Sequence, residues 1–463
     1  MNENKKGSES WNQVNRRQLI SRGAVGAAGF MGVSGILAAC GSSSSSTTAS
    51  STAAKASGTL TIGTFEDDAL ASLRDVFVPK FEKQTGVKVK WNQTSYDSWY
   101  QNAKNDGLQK TGAYDLYIMD DNWVPEFAAG QIIQNLTQMG LKVNSDILPK
   151  GLEQGYWPPK TGPRLKDFQN DTPELYALVI NDDVNILYYN SDYFSSAPET
   201  WDDVVAGQKK SANPPDLFGW SARGVKGNPI VMTFLPFLNS YGGSFVNDDW
   251  SPGFAGPEGV GALERLLSFI PVMPSGVPEF DTDQETQVML QGKALALTEY
   301  TGLTRSINDP KASKVVGKIL TASTPAQEKS GPAIGTFIAG IAAGAKNSEA
   351  AKAFLEWFTS SPVQLEYAMK GGSAAVTKSA LTNKAAGAKY QWLPSIAAAV
   401  NNSTAKPKTP EEPKMEDILG TALNQALVEA ISSKSGYQQI AQKHLTSAAN
   451  DITALLTKVG GYY

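Results

Sequence analysis

A chain of 463 residues with one cysteine and one histidine has few ways of doing chemistry. No internal disulfide can form, so outside the cytoplasm stability must come from packing alone. Cys/His or Ser/His nucleophilic machinery is excluded, because His444 lies alone on an amphipathic carboxy-terminal stretch, a surface position. Clustered His and Cys ligands are missing too, so no metal site and no cofactor is expected. Basic stripes are absent, which removes the electrostatic case for nucleic acid.

What is present begins with the cysteine. Leu37-Ala38-Ala39-Cys40 closes an apolar, glycine-rich run from Leu19, preceded by Lys5, Lys6 and the pair Arg16-Arg17. This pattern reads as a signal peptide, residues 1–39, ending in a lipobox at which the Cys40 thiol takes a diacylglycerol. Five glycines and Arg22 within the run make it a poor permanent membrane span. Asn15-Arg16-Arg17-Gln18-Leu19-Ile20 also resembles the twin-arginine export motif, although ordinary signals carry arginine pairs as well. Removing residues 1–39 takes five basic and two acidic side chains and leaves 36 basic against 43 acidic, about −7. Residues 40–57, mostly Ser, Thr, Ala and Gly, have nothing to bury and read as a flexible tether.

The remaining residues exceed what one hydrophobic core holds and suit two domains. Thr59 to Thr64 reads as a strand, 69–85 as a helix stopped by Gly86, and Val87 to Trp91 as a second strand. A helix over 96–108, a strand over 114–119 and a helix over 123–130 follow. This alternation predicts a mainly parallel sheet with crossover helices. A loop-rich stretch carries Trp157-Pro158-Pro159 and Gly162-Pro163, and 175–189 is again extended and apolar. A second α/β unit starts near Val184, with Thr200 capping a helix. Further helices are expected at 230–241, 257–269, 282–291, 348–359, 362–370, 418–432 and 437–458.

Several segments in order resemble the extracellular solute-binding proteins of family 1, which feed carbohydrate ABC importers. Tyr114 to Phe127 looks like that family's third strand and the acidic, aromatic loop after it. Leu187 to Phe194, then Ala197-Pro198-Glu199-Thr200-Trp201-Asp202-Asp203, is similar to a strand and a "P-x-T-W-D-E" helix start, with Asp203 replacing glutamate. Gln291 to Leu297 resembles the strand of "F-x-x-G-K-A-A-M", and Gly335 to Asn347 the return strand, with Thr336 and Phe337 in place of Gly and Trp. Lys406-Pro407-Lys408-Thr409-Pro410 and the helix after it are similar to the carboxy-terminal portion.

The resemblance implies an α/β fold of the two-lobe, type II periplasmic-binding-protein kind, with discontinuous lobes joined by a hinge near 180–184. The first lobe would take 58–182 plus 322–370 and the second 183–321 plus 371–463. It also implies a monomeric receptor, lipid-anchored outside the cytoplasmic membrane. Such a receptor closes on a sugar or polyol and delivers it to the importer's permease subunits.

In open α/β sheets the loops after strand carboxyl ends line the crevice, and a sugar needs both acceptors for its hydroxyls and rings for its C–H face. Asp120, Asp121 and Trp123 after the third strand supply both, although acids there also cap a helix. Glu66, with Asp67 and Asp68, follows the first strand, and Tyr96 and Trp99 follow the second, Trp99 at a helical spacing that also suits core. Asp183 matches a family acid at the hinge. Trp250, Tyr300, Trp220 and Tyr241 are candidate stacking rings in the second lobe, Phe337 stands at a family contact, and Gly372 in Gly371-Gly372-Ser373 resembles a backbone-contact turn. The competing class is a glycoside hydrolase, which needs only two carboxylates about 5 to 10 Å apart, and Asp120 or Asp121 facing Asp183 would mimic that.

Overall fold

A computed structural model describes residues 57–370 and 374–462, apart from the side chains of Asp68 and Asp97. The signal peptide, Cys40, most of the tether and Gly372 lie outside the described residues. The first sheet holds β1 (Thr59–Phe65), β2 (Lys88–Thr94), β3 (Leu116–Asp120), β4 (Ala177–Asn181) and β9 (Phe337–Ile341) in the order β2-β1-β3-β9-β4. The second has the order β8-β5-β7-β6, from β5 (Asn185–Asn190), β6 (Phe218–Trp220), β7 (Ala294–Tyr300) and β8 (Ile319–Ala322).

Local chemistry sets these elements. Gly86 ends the helix Val78–Thr85 at φ 82°, a left-handed conformation that glycine adopts without strain. Thr200 and Asp203 form a reciprocal capping box, Oγ1 accepting from Asp203 N at 3.1 Å and the carboxylate from Thr200 N at 2.9 Å. The helix expected over 69–85 is broken: a wider five-residue turn, Leu73–Phe77, precedes the α-helical part.

β1 pairs in parallel with β2 and β3, while β9 returns antiparallel between β3 and β4. The carboxyl ends of β1, β2, β3 and β4 therefore share one edge of the sheet with the amino end of β9. That edge faces the second lobe.

The chain crosses between the sheets at 182–184, 323–336 and 403–411, and the crossings are hydrogen-bonded to one another. Gly335 N donates to Asp183 O at 3.0 Å, Asn185 N to Ala333 O at 3.0 Å, and Ile334 N to Thr404 O at 3.1 Å.

The apolar core forms two clusters: the first fills the first lobe and extends over part of the second, taking in Ile186, Tyr188, Met289, Leu290, Leu297 and Ile307, and the second fills the rest of the second lobe. One expected boundary differs from the packing. Ala375, Val376, Leu393, Ile396 and Val400 are buried with the first sheet's core, beyond the limit of 370 read from the sequence. The reason is the helix Leu393–Asn402, whose buried Leu393, Ile396, Ala397 and Val400 recur at three- and four-residue spacing and which packs against the helices Pro149–Glu153 and Lys378–Leu381 as well as against β5.

Candidate interlobe site

The shared strand edge gathers aromatic rings. Phe65, the last residue of β1, has Tyr96 at 5.3 Å and Phe337 edge-on at 5.0 Å between ring centres. Tyr96 retains 37 % of its surface. Its hydroxyl donates to Asp120 Oδ2 at 3.0 Å and accepts from Trp123 Nε1 at 3.2 Å. Trp123 is buried behind it, enclosed by Tyr96, Tyr100 and Phe127. Its indole therefore fixes Tyr96 and has no free face for a ligand, which corrects the expectation that it would stack. Asp120 does cap the next turn, its Oδ1 accepting from Asp121 N at 2.9 Å, and remains partly accessible.

Asp121 turns inward instead. It is 1 % exposed, and its carboxylate lies 3.4 Å from Lys408 Nζ and accepts from Thr336 N at 3.4 Å. Burial pushes its carboxyl up, opposed by Lys408. Beside it, Asn122 Nδ2 donates to Glu412 Oε2 at 2.8 Å, joining the end of β3 to the first turn of helix Glu412–Ser433 in the other lobe. Lys406 Nζ sits between Glu416 at 3.0 Å and Glu412 at 3.6 Å, and Asn228 Nδ2 also donates to Glu416 at 2.9 Å.

From the second lobe comes Tyr300, at the end of β7. Its hydroxyl donates to Met232 Sδ at 2.9 Å, and the Arg223 guanidinium lies 5.4 Å from its ring centre. Arg223 pairs with buried Glu299 at 3.0 Å and Glu285 at 3.8 Å. Gly335 packs directly against the ring, where a Cβ would fall 2.8 Å from it.

Asp183 is buried and structural. Oδ1 accepts from Thr301 N at 2.8 Å, Val184 N at 3.0 Å and the Thr301 hydroxyl, clamping β7 to the hinge. Burial pushes its carboxyl up to about 7 against those hydrogen bonds. Glu66 is exposed at the end of β1.

Other expected rings lie in the core. Trp250 is 2 % exposed, its indole donating to Arg164 O at 3.3 Å and its ring standing edge-on to Tyr462 at 4.9 Å. Trp220 packs with Trp201 and Phe269, and Trp99 donates to Ile118 O at 2.7 Å. Tyr241 accepts from Arg265 Nε at 3.2 Å and is not among the rings at the strand edge. His444 is buried rather than on the surface, 2.8 Å from the Glu429 carboxylate. Sequence reasoning gave no role to Asn122, Arg223, Lys406, Lys408, Glu412 or Glu416. The available signal was two lysines flanking Pro407 shortly ahead of the acidic helix start Glu411-Glu412.

The arrangement can hold a molecule between lobes through carboxylates, a phenol and aromatic edges. Among the described residues no group of His, Cys, Asp and Glu is placed to hold a metal ion. A comparison decides what class of protein carries it: the profile of the bacterial extracellular solute-binding proteins matches residues 66–365. The chain belongs to that family.

A relative of this solute-binding protein, a probable amino-acid ABC transporter periplasmic-binding protein of Sinorhizobium fredii, is 24 % identical over 304 residues, 64 % of this chain and 67 % of that one. The mannitol-binding protein of Pseudomonas aeruginosa is 23 % identical over 319 residues, 66 % and 70 % of the two chains. Among solved structures, a solute-binding protein of Agrobacterium radiobacter K84 in complex with ribitol superposes with a TM-score of 0.73 and 26 % identity, covering 86 % of this chain and 98 % of its own. A maltose-bound protein of T. maritima gives 0.74 at 19 % identity, covering 86 % and 100 %, and shows the shared fold. The two-lobe, type II architecture is thus that of the family, whose members bind solutes. The chain is a binding protein rather than an enzyme, which sets the hydrolase alternative aside. No described helix is long and apolar enough to cross a membrane.

Proposed function

We propose that this protein is a monomeric, lipid-anchored receptor, tethered through Cys40, that captures a polyol or short saccharide between its lobes and delivers it to the permease subunits of an ABC importer. The observation that carries the ligand class is the Asp120–Tyr96–Trp123 chain of hydrogen bonds. It presents a carboxylate and an exposed ring edge together at the strand ends. A ligand hydroxyl donating to a carboxylate contributes about 1.5 to 3 kcal/mol. Three or four such polar contacts with ring packing reach the roughly −8 kcal/mol of a micromolar site after ordering costs. Three cations near the crossings already face carboxylates: Lys406 faces Glu412 and Glu416, Lys408 faces Asp121, and Arg223 faces Glu285 and Glu299. An uncharged ligand suits that balance better than an acid. Relatives named for mannitol and ribitol support the polyol class.

The test is titration calorimetry of the full chain against ribitol, mannitol, maltose and a set of amino acids. Binding of a polyol or saccharide at micromolar affinity supports the reading. A response to amino acids alone would sink it, and would agree instead with the Sinorhizobium relative's name. For the anchor, mass spectrometry of the membrane-extracted protein should find a lipidated amino-terminal Cys40, and a Cys40→Ala chain released into the medium.

A further inference from the structure

Between the paired two-residue strands Tyr156–Trp157 and Glu174–Leu175 the chain makes an excursion, residues 158–173. Its base belongs to the first lobe, since Leu175 is buried in the first core and Tyr156 packs against it. The far end does not. Leu165 packs against the second lobe's core, Lys166 N donates to Gly461 O at 2.9 Å, and Arg164 O accepts from Trp250 Nε1 at 3.3 Å. Gly461 and Tyr462 follow the last helix, and Tyr462 is buried in the second core with its hydroxyl bonded to that of Thr409.

The excursion is an organised unit. Arg164 Nε donates to Pro159 O at 2.8 Å, and Nη1 to Asp171 O at 3.1 Å and Gln169 O at 3.4 Å, so one guanidinium ties three backbone carbonyls of the loop together. Phe168 packs edge-on to Trp157 at 5.2 Å and closes its base. A loop braced in this way moves as one body, and its tip is seated on the opposite lobe.

We infer that residues 158–173 are an interlobe clasp, rooted in the first lobe and fastened to the Trp250–Tyr462 corner of the second, and that its release is required for the lobes to part. The clasp is a link between the lobes in addition to the three hinge crossings, and its fastening corner sits beside one of them, since Tyr462 bonds Thr409 of the crossing 403–411. Separation of the lobes breaks the Lys166–Gly461 and Trp250–Arg164 hydrogen bonds and exposes Leu165. Each fastening bond favours the closed arrangement, so the clasp sets how long a captured ligand is retained. This consequence rests on the interlobe groove being the ligand site; the effect on lobe separation does not.

Two variants test it in the full chain. Lys166→Pro deletes the amide donor at the first residue of a short 3₁₀ turn, where the ring is tolerated. Trp250→Phe deletes the indole donor and keeps an aromatic ring against Tyr462. Without added ligand, small-angle scattering should show a larger radius of gyration in both variants, with faster amide exchange across 158–173. With ribitol as probe, the dissociation rate should rise about three- to tenfold per lost bond while the association rate changes little. Faster exchange of 158–173 with an unchanged radius would overturn the clasp, because the loop would then be a surface feature without hold on the lobes. If no probe binds, the scattering result alone decides it, and only the ligand reading fails.

Discussion

Arg223 and Tyr300 are held as a pair: the guanidinium sits 5.4 Å from the centre of the phenol ring, while the hydroxyl donates to Met232 Sδ. The ring is thereby fixed from its face and from its tip. Two buried carboxylates, Glu285 and Glu299, hold the guanidinium in turn. Arg223→Met would leave both carboxylates without their counter-charge, and the loss expected for breaking such a buried group is about 3 to 5 kcal/mol. Urea denaturation measures it. Adding Glu299→Gln to the variant should recover part of the loss, since one uncompensated charge is removed.

Asp120 is the carboxylate whose removal should affect binding most directly. Asp120→Asn loses the negative charge and keeps an acceptor oxygen for only one of its two donors, the Asp121 amide on Oδ1 or the Tyr96 hydroxyl on Oδ2. Affinity for the best polyol or saccharide probe should fall by about ten- to a hundredfold, the difference between a charged and a neutral acceptor. The midpoint of thermal unfolding should move little. Unchanged affinity by calorimetry would remove Asp120 from the ligand site.

The Asp183 carboxyl titrates at about 7 in the folded protein, because burial outweighs its hydrogen bonds. A group raised above its unfolded value favours the folded state fully at pH below about 4, and that contribution is lost as pH rises to about 7. Stability from this group should therefore decline between those limits, by at most about 4 kcal/mol. Asp183→Asn retains the oxygen that accepts from Val184 and Thr301 and cannot ionise. Its stability profile over pH 4 to 7, followed by urea unfolding, should be flatter than that of the wild type.

Gly335→Ala would place a methyl group 2.8 Å from the Tyr300 ring. A planar ring pinned by Arg223 and Met232 cannot yield cheaply, and overpacking of this kind costs about 1 to 3 kcal/mol. Thermal unfolding should show that loss together with weaker probe binding. Tyr300→Ala in the same chain removes the clash, so the double variant should lose less stability than the sum of the two single changes while binding stays weak.

The first lobe was largely legible in the sequence because β-branched strands, a glycine stop and helical spacing alternate there in short range. The strand ends were legible for the same reason, and Asp120, Tyr96 and Tyr300 do stand there. What failed was the distinction between a ring that faces the groove and one that backs it. Trp123 and Trp250 follow loops as a ligand-stacking residue would, yet both are 2 % exposed, since neighbours distant in sequence cover them. Trp250 is covered by Tyr462, 212 positions away. The role of Lys406 and Lys408 was hidden because their carboxylate partners include Asp121, on the other lobe. The extension of the first core to Val400 was missed because alanine-rich stretches such as 396–400 give a weak periodic signal.

The three hydrogen-bonded crossings have a mechanical consequence. A single connecting strand would act as a swivel, leaving the lobes free to twist as well as to part. Backbone bonds from Gly335 N to Asp183 O and from Ile334 N to Thr404 O make the links a ribbon, which bends easily across its width and resists shear along its length. Each closure then returns Tyr96 and Tyr300 to the same mutual position. A molecule too long for the groove cannot be admitted by sliding one wall past the other. If the groove is the ligand site, such a molecule would prop the ribbon part-way open, and cargo length would be read as an angle between the lobes.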